Sequence, residues 1–476
     1  MPKNLYTYEN VMHILQIEER KGRLNKGTYS AESGIPELSK QLKELRAAIK
    51  VSSRLEANEK KLVLSQFQHK YKELTGKEHD RITKDIVDRK FSISISPKTI
   101  KGKTAYVSDN CPTTIISKII AQELQRGYKI KPQNRDHIIE QLLRLLDGSI
   151  EKIVIRADVQ DFFESIPQET LLRQLSVDGN ISTTSFKHLR AFMHHYDESL
   201  RKSNQEVRGI PRGLPFSSYL AEVYMMHIDA KIREIPGVYY YKRYVDDIVI
   251  VANPDNGTTM EYWQCLEECF AGSGLTLHQE KEKKYAATWG SDTSLATFVY
   301  LGYMFLFNKG KLQLRLSPRR YQKYKILLNA IFDIYAQCSH YRTCKVDKDP
   351  SKKRMDALHQ LFLRLRVLTG NGLLSGRKNY VASGVYYSNK YITTTQQLRD
   401  LDALLTELVD TRFNPPQNLF GYSAENSYDE NVTRIREQLK EFSFVRSFQN
   451  KELMRNPKYN LIQTQLQGIY LKHVDE

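Results

Sequence analysis

Two stretches of this 476-residue chain place carboxylates where a strand should end. In KIVIRADVQDFF the apolar run at 153–155 leads directly into Asp158. A carboxylate at a strand end, followed by a turn, projects over the sheet edge where a ligand can reach it. In YYYKRYVDDIVIVAN two β-rich runs flank Val245-Asp246-Asp247, which predicts a hairpin with adjacent acids at its tip. Acids at a tip are ordinarily solvated turn formers, but these flanks are apolar and aromatic and so predict a packed hairpin. Neighbouring carboxylates repel, and packing two of them with a third favours a divalent cation between them. Phosphoryl transfer from a nucleoside triphosphate asks for such a set. It needs two magnesium ions about 4 Å apart, one at the attacking 3′-oxygen and one at the leaving pyrophosphate, and little covalent help.

The elements that must hold these acids read as an α+β chain. Residues up to about 90 are polar and helical in pattern, as in Leu38–Lys70. Short β-branched runs (SISIS, KIVIRAD, DIVIVAN, FVYLGYMFLF) then alternate with helical patterns. Ile138, Ile139, Leu142, Leu143 and Leu146 make one apolar helix face that stops at Asp147-Gly148. Leu220, Val223, Tyr224, Ile228 and Ile232 make another, beginning after Ser217. From Ser317 onward the pattern is almost wholly helical, opening on the basic segment SPRRYQKYK, with glycine-rich breaks at Leu368–Gly376 and a break at Pro415-Pro416. The partition expected is 1–150, 151–310 and 311–476. Strands and helices in this order suggest an α+β layer rather than a doubly wound sheet.

The net charge is +17, from 72 Lys and Arg against 55 Asp and Glu, which attracts polyanions and above all nucleic acid. No apolar run approaches the roughly 20 residues that span a bilayer, so no membrane partner is expected. The start, MPKNLYTYEN, lacks the apolar core of a secretory signal, which predicts a cytoplasmic location. Five cysteines are too few and scattered for a disulfide framework. Cys338, His340 and Cys344 form a C-x-H-x3-C cluster, read here as free thiols rather than a zinc site.

Beyond these residues, the sequence resembles the reverse transcriptases. Tyr244-Val245-Asp246-Asp247 is similar to the Y-x-D-D motif, and Asp158 through Ile166 to the first palm motif. The resemblance implies fingers in 1–150, a palm with an antiparallel sheet in 151–310, and a thumb-like, repeat-like helical domain in 311–476. It assigns two Mg2+ ions to Asp158, Val159, Asp246 and Asp247, and makes Phe163 a steric gate that favours deoxynucleotides. Gly209-Ile210-Pro211-Arg212-Gly213-Leu214-Pro215-Phe216-Ser217 resembles the G-x-P-Q-G-x-x-x-S loop, with Arg212 and Gly213 at the incoming nucleotide and Arg212 where Gln is usual. Gly274 through Lys281 resembles G-L-x-L-N-x-x-K, with His278 for Asn and Lys281 as proton donor to pyrophosphate. Phe298 through Tyr303 resembles the primer-grip hairpin. Tyr244, Leu301, Gly302, Arg319 and Arg320 are thereby expected at primer or nucleic acid, and Lys101, Lys103, Lys131 and Arg135 are expected at the triphosphate.

The G-I-P-R-G-L-P form, with Arg366 through Asn371 and Gly384 through Asn389, resembles the bacterial defence-associated (abortive-infection) reverse transcriptases. That implies anti-phage DNA synthesis from deoxynucleotides, non-templated, protein-primed or guided by a non-coding RNA, and homo-oligomers. A retron-type enzyme copying its own structured RNA is the alternative. A scaffold without chemistry need not keep all three acids, and a nuclease has no reason for the gate or the Gly-Pro loop.

Overall fold

The computed structural model describes residues 5–20, 24, 29–51, 57–100, 102–131, 133–339, 350–375, 380–413, 425–454 and 459–473. The chain divides into two compact units, residues 1–133 with 154–286, and residues 134–153 with 287–476. Lys101, His340 and Cys344 fall outside what is described.

In the first unit, helices α1 (Tyr8–Arg20), α2 (Ile35–Val51) and α3 (Ala57–Val87) precede an antiparallel hairpin of β1 (Ile95–Ile100) and β2 (Lys103–Ser108). Helix α4 (Cys111–Gly127) follows; Asn110 caps it by accepting from the Thr113 amide. Next in chain order come α5 (Arg135–Leu146), β3 (Lys152–Asp158), α6 (Phe162–Ser165), α7 (Gln168–Asp178), α8 (Thr183–Lys202) and α9 (Ser217–Glu234). Strands β4 (Val238–Tyr244) and β5 (Asp247–Ala252) and helix α10 (Thr259–Phe270) follow, and β6 (Tyr285–Trp289) runs past Ala286, where the first unit ends. The sheet order is β4-β5-β3-β6. Every residue of β3 is buried, in keeping with its continuous apolar run. Leu220, Val223, Tyr224, Ile228 and Ile232 are buried along α9, the face its periodicity predicts.

Helix α5 and its exit belong to the second unit. Its Ile138, Ile139, Leu142 and Leu146 are buried. The Lys152 amine lies 3.3–3.5 Å from the carbonyls of Leu145, Leu146, Asp147 and Gly148, a cation where the helix leaves acceptors unpaired. Strands β7 (Ala296–Tyr300), β8 (Tyr303–Asn308) and β9 (Lys311–Leu316) form an antiparallel meander. The Leu312 amide donates to Asp147 (3.1 Å) and the Gly148 amide to the Gly310 carbonyl (3.0 Å). These bonds group 134–153 with the meander, so the compact units cut across boundaries at 150 and 310.

The rest of this unit holds α11 (Pro318–Ser339), α12 (Pro350–Thr369), β10 (Asn371–Ser375), β11 (Tyr380–Gly384), α13 (Val385–Asn389), α14 (Gln396–Arg412), α15 (Glu425–Lys440), α16 (Phe444–Asn450) and α17 (Tyr459–Lys472). The whole is α+β, helices with antiparallel sheets and a helical C-terminal region, as the patterning implies. One departure is the β10–β11 hairpin, which stands where glycine-rich breaks between helices were expected. Its glycines mark close approach: a Cβ at Gly372 would sit 2.3 Å from the Tyr459 ring, and one at Gly384 2.3 Å from the Gly370 carbonyl. No helix among the described residues is long and apolar enough to cross a membrane.

Candidate active site

Asp158 closes β3 and is 8% exposed. On one side of it the Val159 amide donates to the Asp246 carbonyl (3.1 Å). On the other side the His278 amide donates to the Asp158 carbonyl (2.9 Å) and the Gln160 amide to the Thr276 carbonyl (2.9 Å). The strand end is therefore clasped between the β4–β5 tip and the segment 276–278.

The tip is a two-residue turn, because Tyr244 pairs with Asp247 and leaves only Val245 and Asp246 between the strands. Val245 adopts φ 62°, a left-handed conformation that costs a residue with a Cβ roughly 1–2 kcal/mol. A buried cation holds it there. Arg243, 2% exposed, donates through Nη1 to the Val245 carbonyl (2.9 Å). Its remaining donors engage Asp229 (2.8 and 2.9 Å) and Glu222 (2.9 and 3.0 Å), both on α9. Tyr241 also donates to Asp229 (2.6 Å). Helix α9 thus fixes the tip through one guanidinium.

The three acids stand in different electrostatic settings. Burial raises the Asp246 carboxyl above the usual range and Asp158 adds to this, while its own backbone amide, Lys103 and Arg212 oppose. Burial also raises Asp247, against the pull of Arg156. Arg156 lies two residues before Asp158 on the same face of β3 and donates to Asp247 Oδ1 (2.6 Å), with Asp158 Oδ2 at 3.6 Å. Asp158 Oδ1 faces Lys283 Nζ (3.2 Å) and His278 Nε2 (3.4 Å), which are 2.8 Å from each other.

Phe163 sits in α6, with Arg212 over its ring, 5.2 Å from the centroid. Arg212 also pairs with Glu164 (3.3 Å), and its buried Nε has no hydrogen-bond partner among the described residues. The loop bearing Arg212 is wedged between α6 and β2. The Ile210 amide donates to the Phe163 carbonyl (2.8 Å) and the Tyr106 amide to the Arg212 carbonyl (2.6 Å). A Cβ at Gly209 would lie 2.4 Å from the Glu164 backbone, and one at Gly213 2.7 Å from the Tyr106 carbonyl. A polar cavity of about 470 Å³ opens here, lined by Lys103, Tyr106, Glu164, Tyr196, Arg208 and Arg212.

The structure thus brings Asp158, Val159, Asp246 and Asp247 together at one end of the sheet, while Lys103 and Arg212 line the neighbouring cavity, Gly213 follows Arg212 in the loop and Phe163 lies on α6 beneath Arg212. Tyr244 ends β4 beside the tip. Lys281 is exposed, and the lysine at Asp158 is Lys283, because a turn bonding the Lys283 and Lys284 amides to the Glu280 carbonyl folds the chain back. Arg135, Leu301, Gly302, Arg319 and Arg320 are in the second unit. Arg135, expected at the triphosphate, instead donates twice to the Leu301 carbonyl (2.9 and 2.5 Å). Lys131 and Arg319 are exposed. Arg156, Arg243 and Lys283 escaped sequence reasoning. Only Arg156 had a usable signal, its period-two spacing from Asp158.

Among the described residues no three His, Cys, Asp or Glu side chains are already grouped as a metal cage. Asp158 and Asp247 turn toward Lys283, His278 and Arg156, while Asp246 forms no ion pair among the described residues. The donor chemistry still suits a hard divalent cation: two carboxylates, Asp158 and Asp246, a main-chain carbonyl at Val159, and Asp247 behind them.

The reverse transcriptase (RNA-dependent DNA polymerase) family model matches residues 108–305. The chain therefore contains a reverse transcriptase domain, the catalytic module of RNA-directed DNA polymerases. No curated protein matches the chain. Among solved structures, a truncated apo telomerase from Candida tropicalis aligns at 13% identity and TM-score 0.33, over 48% of this chain and 54% of that one. A Candida albicans telomerase with a fragment of telomeric RNA aligns at 12% and 0.33, over 74% and 56%. Apo telomerase from Candida tropicalis aligns at 11% and 0.35, over 99% and 88%. The chain spans about half the length of the first two of these structures.

Proposed function

We propose that the reverse transcriptase domain of this chain extends a nucleic-acid 3′ end with deoxynucleotides, as part of an anti-phage defence. The observation that carries the polymerase reading is the meeting of Asp158 with the Asp246-Asp247 tip beside a polar, nucleotide-sized cavity that holds Lys103 and Arg212. Two Mg2+ ions held by Asp158, Asp246, Asp247 and the Val159 carbonyl would neutralise charge at the attacking hydroxyl and at the departing pyrophosphate.

The chain's own groups supply the rest. Phe163 sets the floor of the sugar site and excludes a 2′-hydroxyl. Arg212, with an unpartnered Nε, and Lys103 offer cations to the triphosphate. Lys283, 3.2 Å from Asp158, is in this reading the proton donor to pyrophosphate in place of Lys281. The defence role, a homo-oligomeric state and a non-coding RNA partner rest on the Gly209–Pro215 loop and the C-terminal segments, which resemble the defence-associated group.

The test is incorporation of labelled deoxynucleotides by protein purified with its native nucleic acid. Asp158→Ala and Asp246→Ala should each abolish magnesium-dependent extension, and ribonucleotides should compete poorly. Normal extension after both changes would refute the site; shortening of the labelled strand would make it a nuclease.

A further inference from the structure

Where Asp158, Asp246 and Asp247 meet at one end of the β4-β5-β3-β6 sheet, a buried cation already stands among them. Arg156, on β3, is 9% exposed. Its Nη2 donates to Asp247 Oδ1 (2.6 Å) and lies 3.6 Å from Asp158 Oδ2. Its Nη1 donates to the Glu282 carbonyl (2.7 Å). The buried Nε has no hydrogen-bond partner among the described residues. The guanidinium is therefore pinned at two ends, by the first residue of β5 and by the chain that follows the 276–278 clasp.

Lys283 also faces Asp158 (3.2 Å), but its side chain is 38% exposed against 11% for Arg156. An amine on a long stem at that exposure can swing into water, whereas a buried, doubly tethered guanidinium cannot. Arg156 is thus the standing charge of the site and Lys283 the movable one. A buried guanidinium needs an acid beside it, because an unpaired interior charge is costly. Asp247 is that acid. The lone pair it gives to Arg156 is closed to a divalent cation, and the positive charge beside it repels one.

We propose that Arg156 is a built-in counter-ion that keeps Asp247 from ligating a divalent cation while the site holds no nucleotide. This rests on the polymerase reading and adds the group that sets the resting charge of its metal site. Arg156 acts through Asp247 and is a positioning residue. With Asp247 so held, the nucleotide-free site retains ions weakly, and a triphosphate must add negative charge of its own.

The experiment is Mn2+ binding to the full chain freed of nucleic acid, read from the electron paramagnetic resonance signal of the unbound ion. Only binding that Asp246→Ala removes is counted. The unaltered protein should bind with a Kd of about 1 mM. Arg156→Met should bind about tenfold tighter, since a positive charge beside two carboxylates is gone. Arg156→Gln, which keeps a donor for the Glu282 carbonyl, should tighten likewise. Arg156→Lys keeps the charge and should stay within about threefold of the unaltered protein. Adding Asp247→Asn to Arg156→Met should take the gain back. An arginine that only braced the strand would give the opposite sign, because loosened acids bind more weakly. Unchanged or weaker binding in the neutral variants overturns the counter-ion, as does equal tightening in Arg156→Lys or a gain that survives Asp247→Asn. So does a Kd below about 10 µM for the unaltered protein, whether or not any variant folds. Extension by the unaltered protein without a gain in the neutral variants refutes the counter-ion alone; a gain without any extension refutes the polymerase reading alone.

Discussion

Replacing Arg243 by Met should weaken the first unit by about 3–4 kcal/mol. Breaking a buried ion pair from one side costs roughly 3–5 kcal/mol, because the other charge is left unpaired in the interior. Arg243 has two such partners. The Glu222 side chain is 25% exposed and can rehydrate; the Asp229 side chain is 11% exposed and cannot do so easily, which places the cost in the lower half of that range. The shift corresponds to a change of about 10²–10³-fold in the folding equilibrium of this unit. The chain has two tryptophans, Trp263 in the first unit and Trp289 in the second, so a Trp289→Phe background lets Trp263 fluorescence follow urea unfolding of the first unit. Adding Asp229→Asn removes the stranded charge and should restore about 1–2 kcal/mol. The Val245 carbonyl also loses its donor, so extension activity should fall further than the folded fraction does. A loss under about 1 kcal/mol, or a double variant weaker than the single, would refute the claim that this cation fixes the tip.

Lys283→Ala should slow extension by about 10²-fold while Lys281→Ala changes it less than about threefold, both measured as single-turnover rates; the reverse ranking would restore Lys281 as the donor. Gly209→Ala should cost both thermal stability and activity, since the new methyl meets the Glu164 backbone at 2.4 Å and the φ of 73° disfavours a side chain; unchanged melting would show that the loop can yield. His188 packs against Tyr6 and Phe91, and burial, then the Arg89 charge, pushes it down to about 4 from 6.5. Its stabilising effect is complete above pH 6.5 and is lost as pH falls toward 4, with a slope of at most about 1.4 kcal/mol per pH unit. His188→Phe should flatten that slope in urea titrations, and an unchanged slope would mean another group titrates.

Local pattern carried much of the catalytic unit. The apolar run of β3, the β-branched flanks of the tip and the Gly-Pro loop each state their conformation within a few residues. What stayed hidden depends on distant partners. Nothing near Arg243 announces Asp229 and Glu222, since strand and helix meet only in the folded chain. Lys283 rather than Lys281 lies at Asp158 because a turn at Glu280 reverses the backbone, and two residues decide which amine comes back. Arg135 has the charge for a triphosphate, yet the Leu301 carbonyl claims its donors. The β10–β11 hairpin was obscured because its glycines mark contacts with Tyr459 and Gly370, which are invisible in a window of neighbouring residues.

Helix α5 lies between two stretches of the first unit in sequence but shares its contacts with residues that follow Ala286. During synthesis it leaves the ribosome long before those residues exist. Until they arrive, the stripe of Ile138, Ile139, Leu142 and Leu146 has no surface of its own unit to cover it. The nascent chain must carry an adhesive segment through the interval, a target for holdase chaperones. An expression fragment ending at 286 would keep that state permanently, whereas joining residue 133 to 154 through a short linker would remove it.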